Sequence, residues 1–267
     1  MTSSSKPAGP ASAHAADPTT LLIERGADRV HVQLNRPRVR NAIDQTMIDE
    51  LHAVCDELER EPLILIISGS NGVFASGADI AQLRERRSAD ALKGINSGLF
   101  SRIARLPMPV IAALDGWALG GGAELAYAAD FRIASTTVRL GNPETALGIL
   151  PAAGALWRLA RLVGEPVAKE IILAGRVLGA AEALAVHLVT EIHEPADLIS
   201  AAHALADRIG AQDPLATRLA KEVFHAPAAS HPLADNEAQA ILFESPEKFT
   251  RMDAFLAKKT QPRVADH

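Results

Sequence analysis

The chain has 267 residues, of which 48% are hydrophobic and 22% are charged, and its formal net charge is −5 at pH 7. This composition is typical of a globular protein with a sizeable core, built as one large domain or as one domain with an appendage. The acidic balance disfavours nucleic acid and anionic membranes as the main partners. The single cysteine, Cys55, cannot form an internal disulfide, so we expect a reducing compartment, the cytoplasm.

The N-terminal segment differs in composition from the rest of the chain. Residues 1–17 are rich in serine, alanine and proline and lack the apolar stretch of a secretory signal. We therefore predict a disordered tail over residues 1–18. Nowhere does an apolar run reach the length of a membrane span, so we expect no membrane association.

The first predicted elements are a hairpin and a helix. Apolar residues at 21–24 and 30–34 flank Gly26-Ala27-Asp28, which predicts two strands joined by a turn. Residues 44–58 then carry apolar side chains at helical spacing, and Asp44 is suited to cap that helix.

The middle of the chain alternates buried strands with loops and helices. Continuous apolar runs at 63–67 and 110–114 predict two buried strands. A loop is expected over 68–77, where glycine, serine and asparagine are frequent, and a helix over 91–106.

Short strands are expected at 131–134 and 138–140. From Gly154 onward the chain is predicted to be mainly helical, and only residues 188–192 interrupt the helical pattern. A β-rich first part followed by helices predicts an α/β core with a helical C-terminal extension.

Three consecutive glycines, Gly120-Gly121-Gly122, stand just before a predicted helix over 123–129. They leave backbone N–H groups uncovered at a helix N-terminus, where the helix dipole favours negative charge. Glu124 lies in the first turn, beside these amides. A flexible loop or a closely packed helix entry would use the same glycines, so the triplet alone does not establish a site.

A second small-residue turn, residues 74–80, follows the buried strand at 63–67 and enters another predicted helix. An oxyanion hole requires two N–H donors that converge on one oxygen from different directions. We therefore hypothesise that the amides of Ala78 and Gly121 form such a pair.

Two isolated carboxylates, Glu124 and Glu144, are flanked mainly by small or apolar residues. Partial removal from water raises the pKa of a carboxyl group, which then serves as an acid or base near neutral pH. The alternatives are a carboxylate that stabilises a helix dipole and a surface residue in a loop. Paired glutamates also occur in glycosidases, but an aromatic content of 4% offers few platforms for sugar rings.

Other chemistries find little support in the sequence. It has no dinucleotide-binding fingerprint, phosphate-binding loop of the Walker type or nucleophile elbow, and its nine histidines show no metal-ligand spacing. We therefore expect no metal site.

Taken together, residues 34–42, 74–83, 111–130 and 140–159, with the tail block 243–259, resemble the enoyl-CoA hydratase/isomerase (crotonase) family. The resemblance covers the chain from about residue 21 to residue 259. It implies an α/β fold, a spiral of repeated strand-strand-helix units over residues 19–200. A helical trimerisation region over residues 201–267 is also implied, usually within a dimer of trimers.

The resemblance also implies a substrate and a set of roles. The ligand is an acyl-CoA, and CoA is part of the substrate, so no separate cofactor is expected. Ala78 and Gly121 match the oxyanion-hole positions, whereas Glu124 and Glu144 match the two glutamates of the hydratases. Glu144 is assigned the proton transfer at C2 and Glu124 the orientation of water. Residues expected to contact CoA are Arg38, Val39, Arg40, Ser76, Gly77, Asp79, Ile80, Gly120 and Lys259.

The expected activity is syn addition of water to a 2-enoyl-CoA, giving 3-hydroxyacyl-CoA. A double-bond isomerase, a thioester hydrolase and a non-catalytic homologue that binds CoA or RNA remain alternatives. One departure from the family pattern is the loop 151–155, which is usually richer in glycine. Its extra methyl groups, on Ala152 and Ala155, are expected beside Glu144.

Overall fold

The structure is a computed structural model that describes the backbone of residues 18–260 and the side chains of residues 18–257. The predicted tail therefore lies outside the described residues, apart from residue 18. The same holds for the predicted CoA contact of Lys259, whose side chain is not among those described.

The first elements agree with the sequence patterns. Strands β1 (Leu21–Arg25) and β2 (Arg29–Leu34) form an antiparallel hairpin, which confirms that prediction. Helix α1 (Gln45–Arg60) follows, and the Asp44 carboxylate accepts a hydrogen bond from the amide of Met47. The predicted helix cap is thus confirmed.

Strand-strand-helix units then repeat along the chain. The first contains β3 (Ile64–Ser68), β4 (Val73–Ala75) and the helices α2 (Ile80–Glu85), α3 (Ser88–Lys93) and α4 (Ile95–Ala104). The second contains β5 (Val110–Leu114), β6 (Trp117–Leu119) and α5 (Gly121–Ala128). The third contains β7 (Phe131–Ser135), β8 (Arg139–Gly141), a 3₁₀ turn (Pro143–Leu147), a π-helical turn (Ala155–Leu159), α6 (Ala160–Val163) and α7 (Glu165–Leu173).

The remaining elements complete the two sheets and then become helical. They are β9 (Leu178–Gly179), α8 (Ala180–Ala185), β10 (Glu191–His193), α9 (Leu198–Gly210), α10 (Pro214–Phe224), a 3₁₀ turn (Ala228–Ser230), α11 (Leu233–Phe243) and α12 (Pro246–Thr260). None of the helices between residues 18 and 260 has the length and apolarity needed to cross a membrane.

Each repeat contributes one strand to each of two sheets. The larger sheet has the order β1-β2-β3-β5-β7-β10, and all its pairs except the hairpin are parallel. The smaller sheet has the order β4-β6-β8-β9, in which β4, β6 and β8 are parallel neighbours. The predicted spiral of repeated units is confirmed.

The core has two parts because the larger sheet is covered on both faces. One face, with the smaller sheet and most helices, forms the main apolar cluster around residues such as Phe74 and Phe100. On the other face, α9 packs Leu205 and Ile209 against the strands β3, β5 and β7.

Some predicted boundaries are wrong. The segment 68–77 is not entirely loop because it contains β4, and the helix predicted at 91–106 is interrupted at Gly94, whose φ is +62°. The apolar piece at 188–192, which was expected to interrupt the helical pattern, forms a strand only from Glu191 onward. Strands of two or three residues, such as β4, β6 and β9, carry too few positions for a period of two to be visible.

Helix α5 lies unusually close to β4. A methyl group added to Gly122 would lie 2.3 Å from the carbonyl oxygen of Ala75 and 2.7 Å from its Cβ. No side chain fits between these two backbones, so a glycine is required where the helix crosses the strand.

We predict that Gly122→Ala destabilises the protein by about 1–3 kcal/mol, the usual cost of overpacking a core. Gly98→Ala is the matched control, because Gly98 lies within α4 and a methyl group there meets no atom within 4 Å. Since alanine is the better helix former, the control should be neutral or stabilising by up to about 1 kcal/mol. Urea denaturation measures both, and equal stability of the two variants contradicts the packing argument.

Candidate active site

The parallel pairing of β4, β6 and β8 brings three loops to one place. The loop after β4 carries Ala78, the turn after β6 carries Gly120 and Gly121, and the loop after β8 carries Asn142 and Glu144. Because neighbouring parallel strands end at the same edge of a sheet, residues distant in sequence meet there. Such an edge is the usual location of ligand sites in α/β folds.

The two amides proposed as oxyanion donors lie together. Ala78 forms a parallel bridge with Ile43, whose amide donates to Gly77 O at 2.8 Å and whose oxygen accepts from Asp79 N at 2.9 Å. Among the described residues, neither the N–H of Ala78 nor that of Gly121 has an acceptor. A methyl group on Gly121 would lie 3.3 Å from the nitrogen of Ala78, so the two turns are in contact.

Glu144 lies against the same glycines. It is 9% exposed, and its Oε1 lies 3.0 Å from the position of a methyl group on Gly120. Burial raises the pKa of its carboxyl group, whereas hydrogen bonds from its own amide and from Asn142 oppose this shift. Its Oε2 is buried without a hydrogen-bond partner among the described residues.

Glu124 is the more deeply buried carboxyl group, at 3% exposure. Its Oε1 accepts hydrogen bonds from the amides of Ala153 at 2.7 Å and Ala155 at 3.1 Å. Burial raises the pKa of Glu124 to about 7; the amides oppose the shift, and the charge of Glu144 adds to it. The predicted rise of both pKa values is confirmed in direction.

The alanine-containing loop contacts Glu124 through its backbone amides. The placement of its added methyl groups beside Glu144 stays a prediction. Arg158 anchors the loop, since its Nη1 donates to Ala153 O at 3.2 Å and its Nη2 to Ser101 Oγ at 3.4 Å.

A buried polar chain supports Glu144 from behind. The hydroxyl of Tyr127 donates to Asn142 Oδ1 at 3.0 Å, and Asn142 Nδ2 lies 3.4 Å from both Glu144 Oε1 and Gly120 O. Neither residue is among the predicted site residues. The available signal is spacing: Tyr127 is three residues after Glu124, on the same face of α5, and Asn142 is two residues before Glu144.

The residues expected at the nucleotide end of CoA form an exposed cluster. Arg38, Val39 and Arg40 lie in a turn on the surface, where Arg40 has a left-handed backbone with φ of +54°. The amide of Ser76 donates to Arg40 O at 3.0 Å, and its hydroxyl to Val39 O at 3.4 Å. The structure thus brings these two predicted CoA-contacting segments together.

Asp79 and Ile80 differ in what they offer a ligand. Ile80 is 58% exposed, beside the site. The Asp79 carboxylate caps α2 through the amides of Ala81 and Gln82 and pairs with Arg36 at 3.3 Å. Arg36, which is not among the predicted site residues, also pairs with Asp44 at 3.0 Å and so ties the loop after β2 to the starts of both α1 and α2.

These features define an α/β spiral with two amides and two buried carboxyl groups at one sheet edge. The enoyl-CoA hydratase/isomerase family model matches residues 25–262. Among solved structures, an enoyl-CoA hydratase from Bacillus anthracis is similar, with a TM-score of 0.85, 30% identity and coverage of 90% of this chain and 97% of that one. Pseudomonas aeruginosa DspI gives a TM-score of 0.86 at 30% identity, with 92% and 98% coverage.

Curated relatives agree with this match. A short-chain-enoyl-CoA hydratase of Clostridium acetobutylicum is 36% identical over 248 residues, which cover 90% of this chain and 95% of the relative. A crotonyl-CoA hydratase of Syntrophomonas wolfei is 33% identical with the same coverage of both chains. The chain therefore belongs to the enoyl-CoA hydratase/isomerase family.

The burial of Glu124 predicts how stability depends on pH. Because its pKa rises from 4.5 to about 7 on folding, the folded protein keeps a proton that the unfolded chain releases. This contribution to the free energy of unfolding is fully present below about pH 4.5 and is lost as the pH rises to about 7. We expect Glu124→Gln to show a smaller decline than the wild type when urea denaturation is followed across that range, because the raised pKa of Glu144 still contributes.

The control is Glu61→Gln, which changes an exposed carboxylate at the end of α1. It should retain the wild-type decline. A Glu124→Gln variant with an unchanged profile would show that the carboxyl group is not held protonated by burial.

Proposed function

We propose that the protein hydrates the 2,3 double bond of a 2-enoyl-CoA thioester, adding water syn to give 3-hydroxyacyl-CoA. The observation that carries the proposal is the pair of buried carboxyl groups, Glu124 and Glu144, beside the free amides of Ala78 and Gly121 at the same sheet edge. Relatives named as enoyl-CoA and crotonyl-CoA hydratases support it.

The two amides act on the thioester carbonyl. As water attacks C3, the electrons of the double bond move through C2 onto the carbonyl oxygen, and an enolate-like oxygen develops. The N–H groups of Ala78 and Gly121 stabilise this charge without rearrangement. In other enzymes the loss of one such donor costs about 2.7–4 kcal/mol of transition-state stabilisation.

The two glutamates handle the water and its protons. Glu124 orients the water and takes one proton from it, so that hydroxide adds to C3. Glu144 delivers a proton to C2, and the elements of one water molecule are thereby added across the double bond. A pKa of about 7 for Glu124 suits a group that gains and loses a proton near neutral pH.

The CoA part of the substrate needs its own contacts. We propose that Arg38 and Arg40 meet its phosphates from the exposed turn, and that Ser76, Gly77 and the surface of Ile80 line its path to Gly120. No cofactor beyond the CoA of the substrate is part of this reaction.

We predict that Glu124→Gln and Glu144→Gln each lower kcat by about 10²–10⁴-fold, the range expected for loss of a general acid or base. The double variant should lose less than the product of the two effects, because both groups serve one proton-transfer step. The assay follows loss of enoyl-thioester absorbance with 2-enoyl-CoAs of several chain lengths.

The control is again Glu61→Gln, which should retain wild-type activity. Mass spectrometry of the product separates the alternatives, since hydration adds the mass of water, isomerisation leaves the mass unchanged and hydrolysis releases free CoA. A folded wild-type protein that hydrates none of these substrates contradicts the proposed function.

We also propose that the protein assembles as a trimer or a dimer of trimers through its C-terminal helices. Helices α11 and α12 expose large apolar side chains, which are more than half exposed in Ile241, Phe249, Met252 and Phe255. A contiguous exposed apolar patch is typical of an interface, and we propose that these side chains form one.

Sedimentation equilibrium is expected to give the mass of three or six chains. Phe255→Asp should shift the protein toward monomers, because it places a charge within the apolar surface of α12. Leu92→Asp, which changes an 89% exposed residue on α3, should leave the mass unchanged. A monomeric wild-type protein at micromolar concentration contradicts this assembly.

A further inference from the structure

A side-chain amide from α4 lies beside the two backbone amides of the site. A methyl group on Gly121 would lie 3.3 Å from the nitrogen of Ala78 and 3.7 Å from Nδ2 of Asn96. Three nitrogen atoms that carry hydrogen, those of Ala78, Gly121 and Asn96, therefore border the same small space. Among the described residues, Asn96 Nδ2 has no hydrogen-bond acceptor.

We propose that Asn96 is a further catalytic residue, whose side-chain N–H₂ is a third donor to the thioester oxygen. This inference rests on the proposed enoyl-CoA substrate, because the oxygen in question is the one that Ala78 and Gly121 are assigned to polarise.

Arg86 fixes the direction in which the Asn96 amide points. Its Nη1 donates to Asn96 Oδ1 at 3.1 Å. A guanidinium group has donors only, so it selects the oxygen of the amide and turns Nδ2 away from itself, toward Gly121. The usual ambiguity between the two ends of an asparagine amide is thereby removed. Arg86 is a positioning residue in this arrangement, since it acts through Asn96.

The positive charge of Arg86 also strengthens the proposed donor. A hydrogen bond from a cation to Asn96 Oδ1 draws electron density from the amide and makes its N–H groups more acidic, as in other hydrogen-bonded chains. Asn96 is only partly buried and Arg86 likewise, so the pair forms the rim of the site rather than part of the core. A substrate that covers this rim would exclude water and strengthen the contact further.

The glycine at position 121 is consistent with this role. A methyl group there would occupy the space that the nitrogens of Ala78 and Asn96 border. Gly121 thus has two functions, since it supplies one N–H and leaves room for an acceptor shared with the other two donors.

The experiment uses the infrared carbonyl stretch of a saturated acyl-CoA labelled with ¹³C at the thioester carbon. This ligand cannot be hydrated, so its spectrum reports hydrogen bonding alone. Binding to the wild-type protein should lower the stretching frequency. Asn96→Leu, which is similar in size but has no donor, and Asn96→Asp, which keeps the shape but presents only acceptors when ionised, should each lose part of this shift.

The same variants should lower kcat for hydration by about 10²–10³-fold, as measured for loss of one oxyanion donor in other enzymes. Arg86→Met should cause a smaller loss, because Asn96 remains but is free to turn. Ser97→Ala is the matched control: this hydroxyl is one residue further along α4 and donates to Gly94 O at 3.2 Å. It should change neither the spectrum nor kcat.

A wild-type carbonyl shift in both folded Asn96 variants would overturn the proposal. So would a loss of activity restricted to acyl groups that carry an additional oxygen, because Asn96 would then bind that oxygen and not the thioester. If the wild-type protein shows the shift and both Asn96 variants lose part of it, but the wild-type protein hydrates no enoyl-CoA, the role of Asn96 as a donor stands and the proposed hydration fails.

Discussion

The parallel pairing of three short strands, β4, β6 and β8, is the constraint on which the site depends. Each strand has only three residues, yet together they place the ends of three successive repeats at one sheet edge. The close contact between Gly122 and Ala75 then sets the distance between α5 and β4, and with it the spacing between the turns of Gly121 and Ala78. A larger residue at position 122 would push α5 away from β4 and so move the turns of Gly121 and Ala78 apart.

Burial of two carboxyl groups at this edge has an energetic cost, and the surrounding structure offsets part of it. Ionised carboxylates are expensive to remove from water unless hydrogen bonds replace the lost hydration. Glu124 receives them from the loop amides of Ala153 and Ala155, and Arg158 holds that loop in place. From the other described residues the side chain of Glu144 receives a single long hydrogen bond, at 3.4 Å from Asn142 Nδ2. The hydroxyl of Tyr127 in turn donates to Asn142 Oδ1. The site is therefore stabilised from outside by residues that need never contact the substrate.

The sequence predicted most of the fold and the main residues of the candidate site, for reasons that are local. The hairpin, α1 and the buried strands have clear periodicity or capping residues, and the glycine triplet marks a turn wherever it occurs. Strands β4, β6 and β9 of the smaller sheet were missed because their pairing is decided by neighbours that are far apart in sequence, whereas β8 was expected at residues 138–140. The same reason hid Arg158 and Asn96, whose contacts cannot be inferred from spacing. The loop at residues 151–155 was expected beside Glu144, and only the three-dimensional arrangement shows that it holds Glu124.

Glu124 and Glu144 receive different hydrogen bonds, and this difference bears on which of them acts as the base and which as the acid. Amide donors stabilise an ionised carboxylate, so the loop around Ala153 and Ala155 limits the rise in the pKa of Glu124, which burial nevertheless brings to about 7. Glu144 lacks such a loop, and its buried Oε2 has no partner among the described residues. A buried acceptor without a hydrogen-bond partner lowers the free energy of unfolding by about 1–3 kcal/mol. A proton on Oε2 that is donated to a ligand would remove this cost. In the proposed reaction Glu124 is the base toward water, so it must act in the ionised form that the loop amides stabilise and that prevails above a pH of about 7. Glu144, as the proposed acid toward C2, must act in the protonated form that burial favours.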